Sequence, residues 1–469
     1  MLSHIIRKEL LDQLLSLRFA IACVVCLVVI LLSSTVLTRD YREAMSTYNM
    51  NMVIHRNEVL QRSEVWSLQQ GVTVDRPLNV MNVLVRGFNA ELSESVRVQP
   101  QNRLDFPEVY EQNPVVSLFP EVDFVFISGI IMSLLALAFS YDAISGEREG
   151  GVLKVVMSYS VPRDTLLLGK WIGGYLALTA PFVVSFIAGL VVVVLFPEVE
   201  PSLDNTLSIF ALLLLALLYL AAIYSLGIFV SCRTEITSTS ITVLLLVWVA
   251  FILAIPNMAP YLTSQLIPVP SRGSVDREKE EIQQEANRHS REMMREEQER
   301  TGREEVWSDE AFQEKMRAFG EETRAEIQKV EDSYTAKVRD QTRWSAYIAR
   351  ISPLTSFNLA ALDLAAAGIE QESRFVDALK AYSSIWEEYS NEKSTAMRKL
   401  MEERGGRMTR QDMEQFNNMD FGDHPRFKFD YMSFKDRLGS VYKDVLLLGV
   451  WNVLFFMLAY ISFLRYDVR

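Results

Sequence analysis

The chain alternates between apolar blocks and long polar stretches. Each apolar block holds roughly 20 residues, which is the length that crosses a bilayer as a helix. The six predicted membrane spans are residues 19–37, 123–140, 171–196, 206–230, 238–256 and 444–464. The parts around them are residues 1–18, 38–122, 141–170, 257–443 and 465–469. We therefore predict a membrane protein with sizeable water-facing segments.

The N-terminal segment, residues 1–18, has a helical pattern. Its apolar residues recur at steps of three and four, at Leu2, Ile5, Ile6, Leu10, Leu14 and Leu17. This spacing is typical of an interfacial helix that lies on the membrane surface. The apolar run that follows is longer than the core of a signal peptide, so we interpret residues 19–37 as a retained span.

The second long polar segment predicts a helical arm. Residues 274–300 are dense in Glu, Arg and Gln, and Gly302 interrupts them. An apolar stripe then follows mostly at three- and four-residue steps, formed by Phe312, Met316, Phe319, Ile327, Val330, Tyr334 and Val338. This pattern favours a helical hairpin or a coiled-coil arm.

The fold class predicted from these patterns is an all-α membrane protein. It has six transmembrane helices, an N-terminal interfacial helix and a mainly α-helical extracytoplasmic domain. Residues 38–122 and 257–443 form that domain together, because neither segment alone carries strong strand signals.

The distribution of Lys and Arg predicts the orientation. The short loops and ends on one side are rich in basic residues, among them Arg7, Lys8, Arg148, Lys154, Arg163, Lys170, Arg233, Arg465 and Arg469. The short loop 197–205 on the other side carries none. By the positive-inside rule, residues 141–170 and both termini are cytoplasmic, which fits a multi-pass protein of the bacterial inner (plasma) membrane.

Composition and motifs exclude several classes. The net charge is −12 at pH 7, so a nucleic-acid partner is not expected. The four histidines, His4, His55, His289 and His424, have no zinc-site spacing, so we predict no metal site. Cys23, Cys26 and Cys232 lie in or beside apolar runs, where cysteine packs as a small hydrophobe. We predict no catalytic residues and no cofactor-binding residues in this chain.

The segment between spans two and three breaks the apolar pattern. We call residues 141–170 the charged elbow, because it carries charge, glycine and proline between two apolar blocks. A short polar helix is expected before Gly150-Gly151. An ordinary solvated loop is the alternative interpretation of such a charged run.

The order of residues in and near the charged elbow favours a more specific interpretation. The relevant positions are Asp142, Ile144, Ser145, Glu147, Arg148, Glu149, Gly151, Leu153, Ser158, Pro162, Arg163, Leu168, Gly169 and Lys170. This pattern resembles the intracellular coupling segment of type-2 ABC exporter permeases, in the variety with enlarged extracytoplasmic loops. The family usually has Gly-Thr-Leu where this chain has Gly151-Val152-Leu153.

The resemblance implies a set of ATPase-coupling residues. They are Asp142, Ser145, Glu147, Arg148, Glu149, Gly151, Leu153, Pro162 and Arg163. The implied partners are a cytoplasmic ABC ATPase subunit, a second permease chain that is the same or related, and membrane lipids, with a periplasmic partner as a further candidate. The chain has no G-x-x-x-x-G-K-[ST] motif, so ATP and Mg²⁺ are expected on the ATPase partner and no ATPase activity in this chain.

Three functions remain open from the sequence. The first is a permease subunit that couples ATP hydrolysis by its partner to export or extraction of an amphipathic or polymeric substrate. The second is a mechanotransmission complex that acts on a periplasmic partner through the arm and transports nothing. The third is a membrane-anchored sensor or enzyme, for which no motif in the chain gives support.

Overall fold

The structure of the protein, a computed structural model, describes most of the chain. The described residues are 2–62, 64–87, 93–106, 121–159, 161–197, 199, 202–302, 310–403 and 421–465. Most of the predicted tail, residues 465–469, lies outside them. Among the described residues, six helices are long and apolar enough to cross a membrane. The predicted all-α membrane fold is confirmed.

The candidate spans extend beyond the predicted apolar blocks. They are Leu17–Leu60, Phe124–Glu149, Arg163–Val194, Leu203–Arg233, Thr237–Leu266 and Phe434–Leu464. The first helix continues past Arg39, Asp40 and Arg42, where the apolar block ends. Charged residues end a membrane crossing but remain compatible with helical backbone, so the two boundaries differ.

The helices are numbered in chain order. They are α1 (Leu2–Leu14), α2 (Leu17–Leu60), α3 (Phe124–Phe126), α4 (Met132–Ser140), α5 (Ser145–Glu149), α6 (Val152–Ser158), α7 (Arg163–Val194), α8 (Leu203–Arg233), α9 (Thr237–Trp248), α10 (Ile255–Leu266), α11 (Arg272–Thr301), α12 (Glu310–Ala349), α13 (Pro353–Leu364), α14 (Ile369–Glu403) and α15 (Phe434–Leu464). Short 3₁₀ helices cover Val65–Gln70 and Val80–Val83. π-Helical turns at Ile127–Ile131 and Val249–Ala254 join α3 to α4 and α9 to α10.

A small antiparallel sheet lies in the first long polar segment and was not predicted. Its strands are β1 (Val72–Asp75), β2 (Ser95–Gln99) and β3 (Arg103–Asp105), in the order β1-β2-β3. Val72 pairs with Val98 and Val74 with Val96, and all four side chains are buried. Their two-residue alternation is the strand signal in the sequence, but each run is so short that it is easily missed.

The two long polar segments fold around one core, as predicted. The buried side chains of Phe375, Leu379 and Trp386 on α14 pack with the valines of the sheet. Trp386 Nε1 donates a hydrogen bond to the Leu68 carbonyl at 3.0 Å. This core therefore joins residues that precede span two in the sequence to residues that follow span five.

Helix α13 connects this core to the membrane helices. The ring of Phe357 stacks on Tyr219 of α8, with centroids 4.8 Å apart. The Tyr219 hydroxyl donates to the carbonyl of Gly129, in the π-helical turn of span two, at 2.9 Å. At the other end of α13, Arg437 of α15 is buried and donates to the Leu364 carbonyl and to Asn205. Aromatic and polar contacts thus hold α13 against spans four and six, and Tyr219 links span four to span two.

Residues 249–355 form a separate compact unit. Within it, α11 and α12 are antiparallel: Arg272 and Lys279 both bind the Glu331 carboxylate, at 2.7 and 2.8 Å. Farther along, Met293 and Phe312 pack in a small apolar cluster. Gly302 ends α11 with a φ of 63°, in the left-handed region that favours glycine. The paired helices agree with the predicted arm, and the residues that link them lie outside the described ranges.

The ion pair between Arg76 and Glu372 gives a first prediction. Arg76 binds Glu372 through both guanidinium nitrogens, at 2.6 and 3.0 Å, and lies over the Phe375 ring. Because this pair joins the two long polar segments, Arg76→Ala should destabilise their shared core by about 1.5–3 kcal/mol. Thermal unfolding of the detergent-solubilised protein measures the change.

The matched control for this substitution is Arg39→Ala. Arg39 pairs with Glu43 four residues away, but both side chains are largely exposed. Exposed pairs contribute about 0–1 kcal/mol, so the control should unfold close to the wild-type temperature. Equal unfolding temperatures for the two variants would contradict the role assigned to Arg76.

Candidate functional site

The charged elbow is built from two short helices with a glycine break. Helix α5 ends at Glu149, and α6 begins at Val152. Gly151 lies between them with a φ of 71°, which a residue with a Cβ rarely adopts. Pro162 then precedes α7, where its fixed φ fits the start of the helix. The elbow is therefore ordered helical structure and not an extended loop.

A buried cluster of three charges anchors the elbow. The Lys170 ammonium lies 2.8 Å from Glu147 of α5 and 3.1 Å from Glu9 of α1. Only 4% of Lys170 is exposed, and Glu9 is also buried. A buried ammonium needs such partners, because removing a charge from water is otherwise costly. One side chain of α7 thus holds both the elbow and the N-terminal helix.

Two glycines let α1 approach α7 closely. A Cβ at Gly169 would lie 2.5 Å from Ile5, and a Cβ at Gly173 would lie 2.8 Å from Glu9. These glycines are four residues apart and share one face of α7. The side chains of Ile5 and Glu9 pack directly against these glycines, and this contact brings Glu9 within reach of Lys170.

The neighbouring charges of α5 bind the link between spans four and five. Arg148 donates to the Thr234 carbonyl at 2.9 Å. The Glu149 carboxylate accepts from the backbone N–H of Thr237 at 2.9 Å and from its hydroxyl at 2.7 Å. The carboxylate therefore caps the first turn of α9, where negative charge is favoured. Helix α5 is fixed to span five as well as to span three.

The start of the elbow is tied to the first span. Arg18 of α2 forms an ion pair with Asp142 at 2.8 Å and donates to the Tyr141 hydroxyl at 2.9 Å. Ser231 of α8 accepts hydrogen bonds from the backbone N–H groups of Ile144 and Ser145, each at 3.0 Å. At the far end of the elbow, Arg163 donates to the Leu464 carbonyl of α15 at 2.6 Å.

The outward face of the elbow is apolar. Val152, Val155 and Tyr159 expose 46%, 58% and 68% of their surface, respectively. Their three-residue spacing places Val152 and Val155 on one side of α6, and Tyr159 directly follows the last residue of this helix. We call these three residues the α6 ridge. Leu153, which follows Val152, points the opposite way and is fully buried.

The structure divides the predicted coupling residues into two groups. Asp142, Ser145, Glu147, Arg148 and Leu153 are buried or half-buried and bind other parts of the bundle. Glu149, Gly151 and Pro162 are exposed, while Arg163 is half-buried. A role in coupling stays a prediction for all nine, and the inward group would act by positioning the elbow.

Sequence reasoning missed Glu9 and the α6 ridge. Glu9 lies on the same helical face as Leu2, Ile5 and Ile6, so a charge on an apolar face was the available signal. The ridge follows a glycine break with a spacing of three and then four residues, but the family pattern consists largely of charged residues and does not include the ridge. The contacts of Glu9 and the exposure of the ridge become known only from the fold.

The part of the chain that the structure describes contains neither a candidate metal site nor a disulfide bond. No group of three or more His, Cys, Asp or Glu side chains there could hold a metal ion. The three cysteines are unbridged, and Cys26 packs against Met132 of span two. This agrees with the interpretation of the cysteines as packing residues.

These features define an α-helical, multi-pass membrane protein with a charged elbow built into its helix bundle. The sequence profile of the ABC-2 family transporter proteins matches residues 3–468, so the chain belongs to this family of permeases. The predicted family resemblance is confirmed.

Two curated relatives are similar to part of the chain. A probable ABC transporter permease protein NosY from Pseudomonas aeruginosa is 37% identical over 129 residues, which cover 26% of this chain and 45% of the relative. A protein of the same name from Stutzerimonas stutzeri is 41% identical over 71 residues, covering 15% of this chain and 26% of the relative. The matches thus span less than half of either relative.

The buried cluster gives a second prediction. Lys170→Met removes the charge that Glu9 and Glu147 share, which leaves two buried carboxylates without their partner. We expect a loss of about 3–5 kcal/mol in the free energy of unfolding. Residues 2–14 should also become more accessible to protease, because α1 loses its ionic contact with α7.

The control for Lys170→Met is Lys154→Met, since Lys154 is exposed on α6. It should change neither the unfolding temperature nor the cleavage of α1. Adding Glu147→Gln to Lys170→Met should restore part of the lost stability, because one unpaired charge is removed. Wild-type unfolding by the single Lys170→Met variant would contradict the anchoring role of Lys170.

Proposed function

We propose that this chain is the membrane-spanning permease subunit of an ATP-driven ABC transporter, and that a separate ATPase subunit docks on the charged elbow. The α6 ridge is the observation that carries the proposal. Three large apolar side chains are exposed on a polar segment between two spans, and exposed apolar patches of this kind mark interaction sites.

The inward contacts of the elbow support a mechanical role for it. A force on α6 would reach α5, which is held to span three through Lys170 and to span five through Glu149. Asp142, just before α5, is paired with Arg18 of span one. Movement of a docked subunit would therefore be passed to several membrane helices at once. Side chains that pair inside the bundle transmit such a displacement better than solvated ones.

The remaining components follow from the family. ABC permeases work with an ATPase and generally with a second permease. ATP and Mg²⁺ would bind to the ATPase, since the chain has no phosphate-binding loop motif. In the most apolar stretches of spans one, five and six, only 28%, 22% and 17% is buried. The exposed remainder provides faces for a second permease chain and for lipid.

The positive-inside rule supports a bacterial inner-membrane protein whose elbow and two termini face the cytoplasm. The two long polar segments would then form a periplasmic domain that receives cargo or contacts a periplasmic partner. Amphipathic or polymeric molecules are the cargo that the family resemblance suggests.

A mechanotransmission function is the second candidate, and the arm favours it. Helices α11 and α12 contain 30 and 40 residues, so they are about 45 and 60 Å long. They carry many exposed charges and a short apolar cluster at Met293 and Phe312. A lever of this length suits the transfer of motion to a periplasmic partner better than the enclosure of a substrate.

The α6 ridge gives a third prediction. Val155→Glu should reduce co-purification of the ATPase subunit by about tenfold or more, because a charge would be buried at the centre of the contact. Co-expression followed by pull-down through a tag on the permease measures the amount of ATPase bound. The unfolding temperature of the permease should not change, since Val155 is exposed.

The matched control is Lys154→Glu, on the same helix but away from the ridge. It should bind the ATPase at close to the wild-type level. Equal binding by Val155→Glu and the wild-type chain would overturn docking on the ridge.

Reconstitution distinguishes the two candidate functions. The permease–ATPase complex in vesicles should couple ATP turnover to the movement of an amphipathic cargo if the chain is a transporter. ATP turnover that is stimulated by a periplasmic partner, without cargo movement, would favour mechanotransmission. Turnover that is insensitive to the permease would contradict both.

A further inference from the structure

The place where α10 packs against the end of α12 carries a surface that the proposed function does not use. Six large apolar or aromatic side chains there expose between 45% and 73% of their surface: Tyr261, Leu262, Leu266, Trp344, Tyr347 and Ile351. We call this set the arm root. All six belong to the compact unit of residues 249–355.

The arm root is not the contact between the two helices. Ala259 and Thr263 of α10 are completely buried, and Ala349 of α12 is nearly so. Gln341 of α12 donates to the Ile267 carbonyl at 2.8 Å, which fixes the level at which the helices meet. Small residues thus form the seam, and the large apolar side chains of the arm root remain exposed.

Chain topology puts this surface at a membrane boundary. Helix α10 is the last part of the candidate span Thr237–Leu266, whose first residue binds Glu149 of the elbow. The candidate span ends at Leu266, so the arm root lies at the end of this span that is farthest from Thr237. Since Gln341 lies level with Ile267, Trp344 and Tyr347 follow at the depth of the last turns of α10. Trp and Tyr are enriched at this depth in membrane proteins.

The charge pattern along α12 changes at the same level. Lys337, Arg339 and Arg343 are exposed, and Asp340 is the one acidic residue among residues 337–349. The aromatic and aliphatic residues of the arm root begin directly after them, at Trp344. A cationic band followed by an apolar band matches a phospholipid, whose headgroup carries the negative charge and whose chains lie deeper.

We propose that the arm root binds an anionic phospholipid in the leaflet where this candidate span ends. Lys337, Arg339 and Arg343 hold the phosphate-bearing headgroup, while Trp344, Tyr347 and Ile351 contact the glycerol region and acyl chains. The site anchors the base of the arm to the membrane surface. It depends only on the chain's own geometry and stands whether or not an ATPase docks on the elbow.

A soluble protein partner fits this surface less well. The apolar face of α10 continues a membrane span, so lipid is the medium that already surrounds it. The three basic residues provide the charge complement that an anionic headgroup needs, and each such residue near an anionic surface adds to binding. An aqueous partner would have to cover aromatic residues at the depth of the interfacial layer.

The depth of Trp344 is tested by fluorescence in nanodiscs. The full chain is reconstituted in phosphatidylcholine with 30% phosphatidylglycerol, and the signal of Trp344 is taken as wild type minus Trp344→Phe. Lipids brominated near the top of the acyl chain should quench this difference signal by about half or more. A difference signal that bromolipid leaves unchanged, whether or not iodide in the water quenches it, would overturn the proposal.

Headgroup selectivity is tested by native mass spectrometry of the same full chain. The wild type released from mixed nanodiscs should retain phosphatidylglycerol in preference to phosphatidylcholine. The triple variant Lys337→Gln, Arg339→Gln, Arg343→Gln should lose this preference by about tenfold or more. A wild type without preference, or a triple variant that keeps it, would contradict the assigned site.

A matched triple variant controls for the change in net charge. Arg288→Gln, Arg291→Gln and Arg295→Gln remove three exposed basic residues from α11 in the same compact unit. This variant should retain phosphatidylglycerol as the wild type does. An equal loss of the phosphatidylglycerol preference in both triple variants would show a general charge effect and would contradict a specific site.

Discussion

A single buried ammonium group organises the candidate site. Lys170 lies within 3.1 Å of carboxylates from two other helices, and almost none of it contacts solvent. A charge in this position is tolerated only when its partners stay in place, because an unpaired buried ion is strongly unfavourable. Helix α1, the charged elbow and the start of α7 are therefore constrained to keep one arrangement. The close contact of α1 with Gly169 and Gly173 adds a steric constraint to the electrostatic one.

This constraint explains why the elbow has two different faces. Three of its charged residues bind the bundle: Glu147 pairs with Lys170 of span three, Arg148 binds the end of span four, and the exposed Glu149 binds the start of span five. The apolar residues of the α6 ridge remain exposed. A polar surface would be expected for a segment that only meets water, so the exposed apolar residues of α6 support the proposed docking of a partner. Tyr219 and Phe357 connect α8 to α13 and hence to the core around Trp386.

Hydrophobic periodicity was sufficient to predict the spans, the arm and the break at Gly150-Gly151. These features depend on local sequence: apolar length, helical spacing and the φ freedom of glycine. The direction in which the elbow charges point could not be predicted, because Glu147 resembles a solvated residue until Lys170 and Glu9 are placed beside it. The sheet was missed for a related reason. Val72, Val74, Val96 and Val98 form a buried surface only after pairing across residues 76–94.

The distance between α1 and the elbow tests the central role of Lys170 most directly. Spin labels at Leu11→Cys and Ser158→Cys, both exposed positions, can be introduced after Cys23, Cys26 and Cys232 are replaced. Double electron–electron resonance spectroscopy measures the distance between the two labels. It should give one narrow distance distribution with Lys170 present and a broad one in the Lys170→Met background. Equally narrow distributions in the two backgrounds would contradict the account, because the helices would then keep their arrangement without the buried charge.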